Sequence, residues 1–510
     1  MKRILVRSIS LSLILLLTLG LVPLSDIGMT AQADKAFSAE ADYEYKGKFL
    51  APIGKPVEGS IPIETVEDLK AIKDNLRGTY HLTNNIDLAG IEWNPIGTCE
   101  APFLGTFDGQ GYIIKNLTIT NMDSGVFDAN NINGHYSLFG ITEGNQSNEI
   151  RNLGVEDVSI TLAIYSISRD FNAVVSPLGS RHSFVTSGLG WVRNCYTTGN
   201  ISVTVSVASE YQVHVSATGI ISSVIRMEDC YNMTDVSVDV SLDSLRSGNG
   251  TVSVSANASG LMTDYGIRQT YEDTISRCFN AGNISTSVRC SNSGGILGGP
   301  LSSASAYGIY ASRVFNSFNV GKISTASNAT DHYPDIFGGF QASAFSDSYG
   351  IITQDSGNAY SRAGLDHSYN TGIITSNSAS NSTYTSSLGA SASSYGIYPA
   401  RGGSNSAALT KSVTATADSL NSSFRALAFY DNNDNRFPDN INCIPIEEST
   451  VTDPSFWKDT LGFDFDTIWK IPENGGFPIF KWQREDDEPW VLTLDYLRNT
   501  KFPDKAELLP

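Results

Sequence analysis

One seven-residue phrase returns five times in this 510-residue chain. It reads Cys195-Tyr-Thr-Thr-Gly-Asn-Ile201, Cys230-Tyr-Asn-Met-Thr-Asp-Val236, Cys278-Phe-Asn-Ala-Gly-Asn-Ile284, Ser317-Phe-Asn-Val-Gly-Lys-Ile323 and Ser368-Tyr-Asn-Thr-Gly-Ile-Ile374. The intervals are 35, 48, 39 and 51 residues. Self-similarity at such a period predicts one supersecondary unit stacked on copies of itself. The irregular intervals imply a constant rung with the extra residues placed in loops. The first position alternates Cys with Ser, which predicts a small buried ladder; a disulfide or a metal set are the alternatives. The six cysteines (Cys99, Cys195, Cys230, Cys278, Cys290, Cys443) are too few for a disulfide scaffold, and no Cys-x-x-Cys occurs. The Asn and Gly of the phrase predict corner chemistry.

Two further phrases recur in the same block. A Gly followed by aliphatic or aromatic residues stands at Gly219, Gly260, Gly295 and Gly339, and more weakly at Gly389. Tyr-Gly-Ile begins at Tyr265, Tyr307, Tyr349 and Tyr395, with spacings of 42, 42 and 46 residues. From Tyr80 onward apolar residues alternate with polar ones, as in Ile150 to Ile160, so the unit is made of short strands. The helices that normally link parallel strands are missing, which excludes a doubly wound sheet and predicts a coiled parallel one. Ile201–Val207 with Tyr211–Val215, and Val236–Leu242 with Val252–Ala256, read as hairpins projecting from the stack. The Ser/Thr-rich stretches 374–394 and 402–423 read as looser loops or the fraying end of the stack.

The ends differ from the middle. Residues 1–33 carry Lys2, Arg3 and Arg7, an apolar run from Ile9 to Leu21, and Ala31-Gln-Ala33, the pattern of a secretory signal peptide. Residues 34–60 read as a polar leader. Thr65 and Asp68 form a capping pattern for a helix within 61–78, placed as a cap over the first rung. Aromatic residues crowd 456–483, which reads as a C-terminal cap that buries its rings against the final rung. Residues 484–510 form an acidic tail. Formal net charge is −19; removing the signal segment, with three basic residues against Asp26, takes away +2 and leaves −21. Such a chain repels phosphate backbones and anionic bilayers, so nucleic acid and membrane surfaces are poor partners. No membrane span is expected after signal cleavage, and the chain is expected to be an extracellular monomer, released or wall-associated.

Phe103-Leu-Gly-Thr-Phe-Asp-Gly-Gln-Gly-Tyr-Ile-Ile-Lys-Asn-Leu-Thr-Ile119 resembles the opening rungs of bacterial proteins with GLUG-type repeats. Tyr80 to Leu88, Ser137-Leu-Phe-Gly140, Gly294-Gly-Ile-Leu-Gly298 and the closing aromatics are similar to the same family. The likeness covers residues 60–483, although most central units lack the full Gly-Gly-x-x-Gly phrase and Thr234 replaces the turn glycine in the second repeat. It implies an all-β fold, a right-handed parallel β-helix (solenoid) spanning 61–483, in a secreted or cell-surface protein of Gram-positive type. It also implies adhesin-like binding to an extracellular glycan or surface protein.

Chemistry is sparse. None of the six histidines is followed by Glu, so the His-Glu-x-x-His zinc site of an IgA-cleaving peptidase is absent. The rival reading is a polysaccharide lyase or glycoside hydrolase on the same scaffold. It needs clustered carboxylates, or carboxylates beside arginine, within about 6 Å in a groove. Asp87, Asp108, Glu156 and Asp157 are the candidates, each with a plainer structural role available. A structural wall or spore component is the third reading. Asp431-Asn-Asn-Asp434-Asn is oxygen-rich but lacks the glycine and glutamate of an EF-hand loop. Tyr265, Tyr307, Tyr349 and Tyr395 would suit flat sugar rings if they stack outward on one face, and would be packing if they point inward or lie under a loop. No catalytic, cofactor-binding or metal-ligating residue is assigned, and no cofactor is expected.

Overall fold

Period-two alternation of β-branched residues favours extended backbone, because each branched side chain packs on a pleated surface with its neighbours on one face. The computed structural model describes residues 55–482 apart from internal stretches, the longest being 264–272, 332–341, 354–363 and 430–442. The expected signal segment, most of the leader and the acidic tail lie outside the described residues. Within them strands dominate, in a 23-stranded sheet, a nine-stranded sheet and a two-stranded pair. Pairing in both large sheets is parallel, except where Val126–Phe127 meets Asn133–Tyr136 antiparallel. Neither large sheet closes on itself.

The repeated phrase sets the register. Tyr196, Tyr231, Phe279, Phe318 and Tyr369 stand one above another, and Ile201, Val236, Ile284, Ile323 and Ile374 form a second column. A further level follows at Ala407 and Val413, hidden in the sequence because Ala407-Ala408 replaces the aromatic-Asn pair. From each level the chain passes to the nine-stranded sheet, where Val213–Thr218, Val252–Ser259, Pro300–Ala311, Ala342–Thr353, Leu388–Tyr398 and Asn421–Phe429 pair in the same order. Both sheets contribute to one apolar core. Hydroxyls also bridge across it, with Ser302 Oγ 2.7 Å from Ser327 Oγ and Thr325 Oγ1 2.9 Å from Ser348 Oγ.

The projecting hairpins are not formed. Ile201–Val207 belongs to the strand Leu189–Ser209, which pairs parallel with Tyr231–Ser244, whereas Val213–Thr218 lies in the other sheet. Val236–Leu242 and Val252–Ala256 are divided in the same way. A lone hairpin leaves two bare edges, while stacking on equivalent strands above and below satisfies both. The stretches expected to be loose, 374–394 and 402–423, carry the paired strands Ile374–Ser382, Leu388–Tyr398, Gly403–Ser404, Ser406–Leu409 and Val413–Asp418. Backbone ladders need no apolar side chains once register is imposed by the level below.

Each position of the phrase has a distinct physical task. The corner is made one residue earlier than expected: Asn194, Asp229, Arg277, Asn316 and His367 hold φ between 46° and 55°. Asn, Asp and His tolerate that left-handed geometry best, and Arg277 occupies it at a cost. The Cys/Ser position is fully buried in all five copies. Its hydrogen donates two residues back, from Cys195 Sγ to the Arg193 carbonyl at 3.1 Å and from Ser317 Oγ to that of Phe315 at 2.7 Å. Thiol and hydroxyl interchange because both are small donors and acceptors. Cys195, Cys230 and Cys278 are free thiols.

The asparagines form a ladder in the interior. Asn232 Nδ2 donates to Asn280 Oδ1 at 2.8 Å, Asn280 Nδ2 to Asn319 Oδ1 at 2.8 Å, and Asn319 Nδ2 to Asn370 Oδ1 at 2.7 Å. The same nitrogens donate to the carbonyls of Thr234, Gly282 and Gly321. The phrase glycines therefore supply room: a Cβ on Gly321 would lie 2.0 Å from the Gly282 carbonyl and 2.7 Å from Asn280 Nδ2. The Tyr-Gly-Ile glycines face the ladder from the other sheet, where a Cβ on Gly308 would lie 2.4 Å from Asn319 Oδ1. Two sequence phrases thus enclose one polar column.

At the N-terminal end, helix α1 (Val66–Ala71) begins at Thr65 with the expected reciprocal bonds to Asp68. It is shorter than the expected span and tightens into a 3₁₀ turn at Ile72–Asp74. Leu69 and Ile72 enter the main core. At the other end, the described contacts of the aromatic segment run along the side of the stack, over several levels. Phe456 and Trp457 pack edge-on against Tyr369, Trp469 and Phe477 reach Phe318, Phe480 reaches Phe279, and Trp482 stacks on Tyr231 with centroids 5.6 Å apart. The ladder of rings from Tyr196 to Tyr369 points away from the main core and would be exposed; a strap of aromatics covers it.

Candidate binding surface

Register stacks Asp87, Lys115 and Glu156 in one column, with Asp157 next to Glu156, while Asp108 stands in another column above Arg151. Asp87 accepts from Asn116 Nδ2 at 2.7 Å and pairs with Lys115 at 3.2 Å, and these bonds, that of Asn116 first, hold its carboxyl below the usual range. Asp108 is buried in its Asp-Gly corner, accepting from Gln110 N, Gln110 Nε2, Asn152 Nδ2 and Arg151 Nε. Glu156 accepts from the Tyr196 hydroxyl at 2.7 Å. Asp157, at φ 53°, completes a bulge opposite Thr198. Among the described residues no group of three or more His, Cys, Asp or Glu side chains is placed to hold a metal ion. The Asp431–Asp434 loop lies outside them.

Carboxylates do stand beside arginine on the early levels. Register stacks Asp108, Arg151, Arg193, Glu228 and Ser276 in one column and Glu149, Trp191, Arg226 and Thr274 in the next. Arg151 lies 2.8 Å from Asp108 and 2.9 Å from Glu149. Arg277 lies 2.7 Å from Asp229 and 3.2 Å from Glu228, and its charge is strengthened by the Asp229 hydrogen bonds. Each of these acids is occupied by a guanidinium, so the stripe offers no free pair of carboxylates for acid/base work. Between the two saturated arginines sits a different arrangement, in which the guanidinium carbons of Arg193 and Arg226 lie 3.5 Å and 4.9 Å from the Trp191 ring centroid.

The recurring tyrosines occupy the outer side of the nine-stranded sheet, opposite the core residues Ala304 and Ala306; Tyr265 lies outside the described residues. Tyr307 stacks on Tyr349 at 5.6 Å and Tyr349 on Tyr395 at 5.4 Å, with Tyr310 and Tyr398 packed against them. Tyr307 and Tyr349 are half-buried and Tyr395 is buried, so the stacked faces cover one another and offer no open platform. Asp347 stands between Ser305 and Ser393 on the same face, and burial lifts its carboxyl above the ordinary range despite the Ser393 bond. Burial also pushes the Tyr349 phenol up, with Asp347 adding to it. Phe345, two residues from Asp347, is 42% exposed between Ser303 and Ser391. Sequence reasoning missed Phe345 and Trp191 because neither belongs to a repeated phrase.

No family model matches the chain, and no curated protein matches it. Among solved structures, the chain is similar to one described as a "putative immunoglobulin A1 protease" from Bacteroides ovatus, at 17% identity and a TM-score of 0.37, over 85% of this chain and 96% of that one. Among the described residues no helix is long and apolar enough to cross a membrane.

Proposed function

We propose that the chain is a secreted or cell-surface-associated, non-enzymatic binding protein, built as a right-handed parallel β-helix of GLUG type. The observation that carries the reading is the row of half-buried Tyr307, Tyr310, Tyr349 and Tyr398, packed on the buried Tyr395, with the exposed Phe345 on the same face of the strand that carries Tyr349. A rigid row of tyrosine edges offers large amphipathic contact area at little entropic cost, and an exposed phenylalanine next to it has no role in the core. Stacked levels hold the row straight, which suits an elongated glycan or a strand of a surface protein. The Arg151 site with Asp108 and Glu149 favours the glycan-cleaving alternative only in composition, since both acids are consumed by pairing.

The test is a glycan array and a surface-protein pull-down with the full chain, followed by product analysis on any glycan that binds. The reading expects a ligand that is released unchanged. Phe345→Ser, at an exposed position, should weaken that ligand by about tenfold while leaving the thermal midpoint in place. Shortened glycan products would support the alternative. Binding that ignores Phe345→Ser and Tyr310→Ser would remove the patch from the account.

A further inference from the structure

We propose that Arg193 and Arg226, held around Trp191, form a second binding site, for a carboxylate-bearing polysaccharide. The stripe contains two kinds of arginine. Arg151 and Arg277 are saturated, each directing two or more donors at carboxylate oxygens within 3.2 Å. Arg193 is not: its nearest acids are Glu149 at 3.8 Å and Glu228 at 4.0 Å, beyond hydrogen-bond reach, and its Nε is buried without a partner. Arg226 is exposed and makes no ion pair or hydrogen bond with any described residue; its guanidinium rests over the indole. Guanidinium forks with unfilled donors, pre-oriented on an aromatic ring, match the two oxygens of a carboxylate.

The surrounding charges balance, with Arg151, Arg193, Arg226 and Arg277 set against Asp108, Glu149, Glu228 and Asp229. An anion therefore gains here from the unfilled donors of Arg193 and Arg226, which the neighbouring acids do not reach within hydrogen-bond distance, and not from an excess of positive charge. The polymer is a glycan and not an acidic protein because the stripe has no apolar centre. Trp191 is half-buried beneath guanidinium groups, and among the described residues the large exposed hydrophobic side chains all lie elsewhere. A protein interface needs a desolvated apolar core, whereas a polysaccharide is held by charge-assisted bonds and hydroxyl contacts such as Thr274, next in register to Arg226. Arg193 and Arg226 stand on neighbouring strands ~4.8 Å apart, close enough to hold one carboxylate between them.

This site rests on the binding-protein reading but uses a different sheet from the tyrosine patch, so the two fail separately. The experiment is biolayer interferometry of the full chain over immobilised hyaluronan, with neutral dextran as the control surface. Hyaluronan is expected to bind and dextran not. Arg226→Glu should weaken hyaluronan binding by about tenfold or more, and Arg226→Lys should recover part of it. Raising salt from low to physiological strength should also weaken it, because the site is exposed. Phe345→Ser should leave it unchanged. Arg193→Gln, measured alongside its melting midpoint, supplies a second variant. The proposal is overturned by no binding to hyaluronan, by equal binding to dextran, or by binding that is indifferent to both Arg226→Glu and Arg193→Gln.

Discussion

Gly308→Ala should cost this chain about 3 kcal/mol or more of stability, at the upper end of what overpacking does. The new Cβ would sit 2.4 Å from Asn319 Oδ1 and 2.5 Å from the Gly350 carbonyl. Neither neighbour can retreat, since Asn319 is held by Asn280, Asn370 and the Gly321 carbonyl, and Gly350 belongs to the next level of the nine-stranded sheet. Asn319→Ala alone should cost a comparable amount, because it leaves the Asn370 oxygen and the Gly321 carbonyl without a donor at about 1–3 kcal/mol each. Together the two should cost clearly less than their sum, as removing the carboxamide opens the space that the methyl group needs. Denaturant unfolding of the four proteins measures this. Strict additivity would mean that the two phrases do not meet in the interior.

Trp457→Ala should lower stability by about 3–5 kcal/mol, the range for a fully buried large aromatic. Trp457 packs on Tyr369, Phe318, Phe463 and Phe477, and so joins two levels of the ring ladder. The loss should be local in kind. Hydrogen exchange should quicken across Phe456–Thr460 and Trp469–Lys470, while α1 and the core strand Thr79–Leu82 keep their protection. An aromatic segment sitting on the last level alone would give another pattern, with fraying confined to the strands after Ile374.

The repeated phrase made the stacking legible, because stacking acts on every copy and leaves the same mark each time. Its Cys/Ser position was legible for the same reason. The strap was readable as an aromatic cap but not in its location: composition records that rings are buried, while their partners, Tyr231 to Tyr369, are far away in sequence. The asparagine ladder was misread as corner chemistry because Asn serves both turns and buried carboxamide columns, and only the contact with Gly260, Gly308 and Gly350 from the opposite sheet separates the two. The true corner, at Asn194, Asp229, Arg277, Asn316 and His367, varies in residue type and so left no phrase. The hairpins were inferred from strand proximity along the chain, which does not reveal that consecutive strands enter different sheets. Trp191, Arg226 and Phe345 occur once each, and a repeat search is blind to what is not repeated.

The register of the stack can be tested directly at Arg289 and Asn328, two exposed residues on strands 39 positions apart that stand opposite each other. Cysteines introduced at both positions should cross-link on mild oxidation, since neighbouring strands lie ~4.8 Å apart and disulfides span Cα separations of about 4.4–6.8 Å. Peptide mass spectrometry should find the Arg289→Cys/Asn328→Cys bridge in high yield in the folded chain. It should find little bridging between Arg289→Cys and a cysteine at Asp331, three residues further along the same strand. Equal yields for the two pairs, or no bridge at Asn328, would contradict the in-register parallel stack on which every column described above depends.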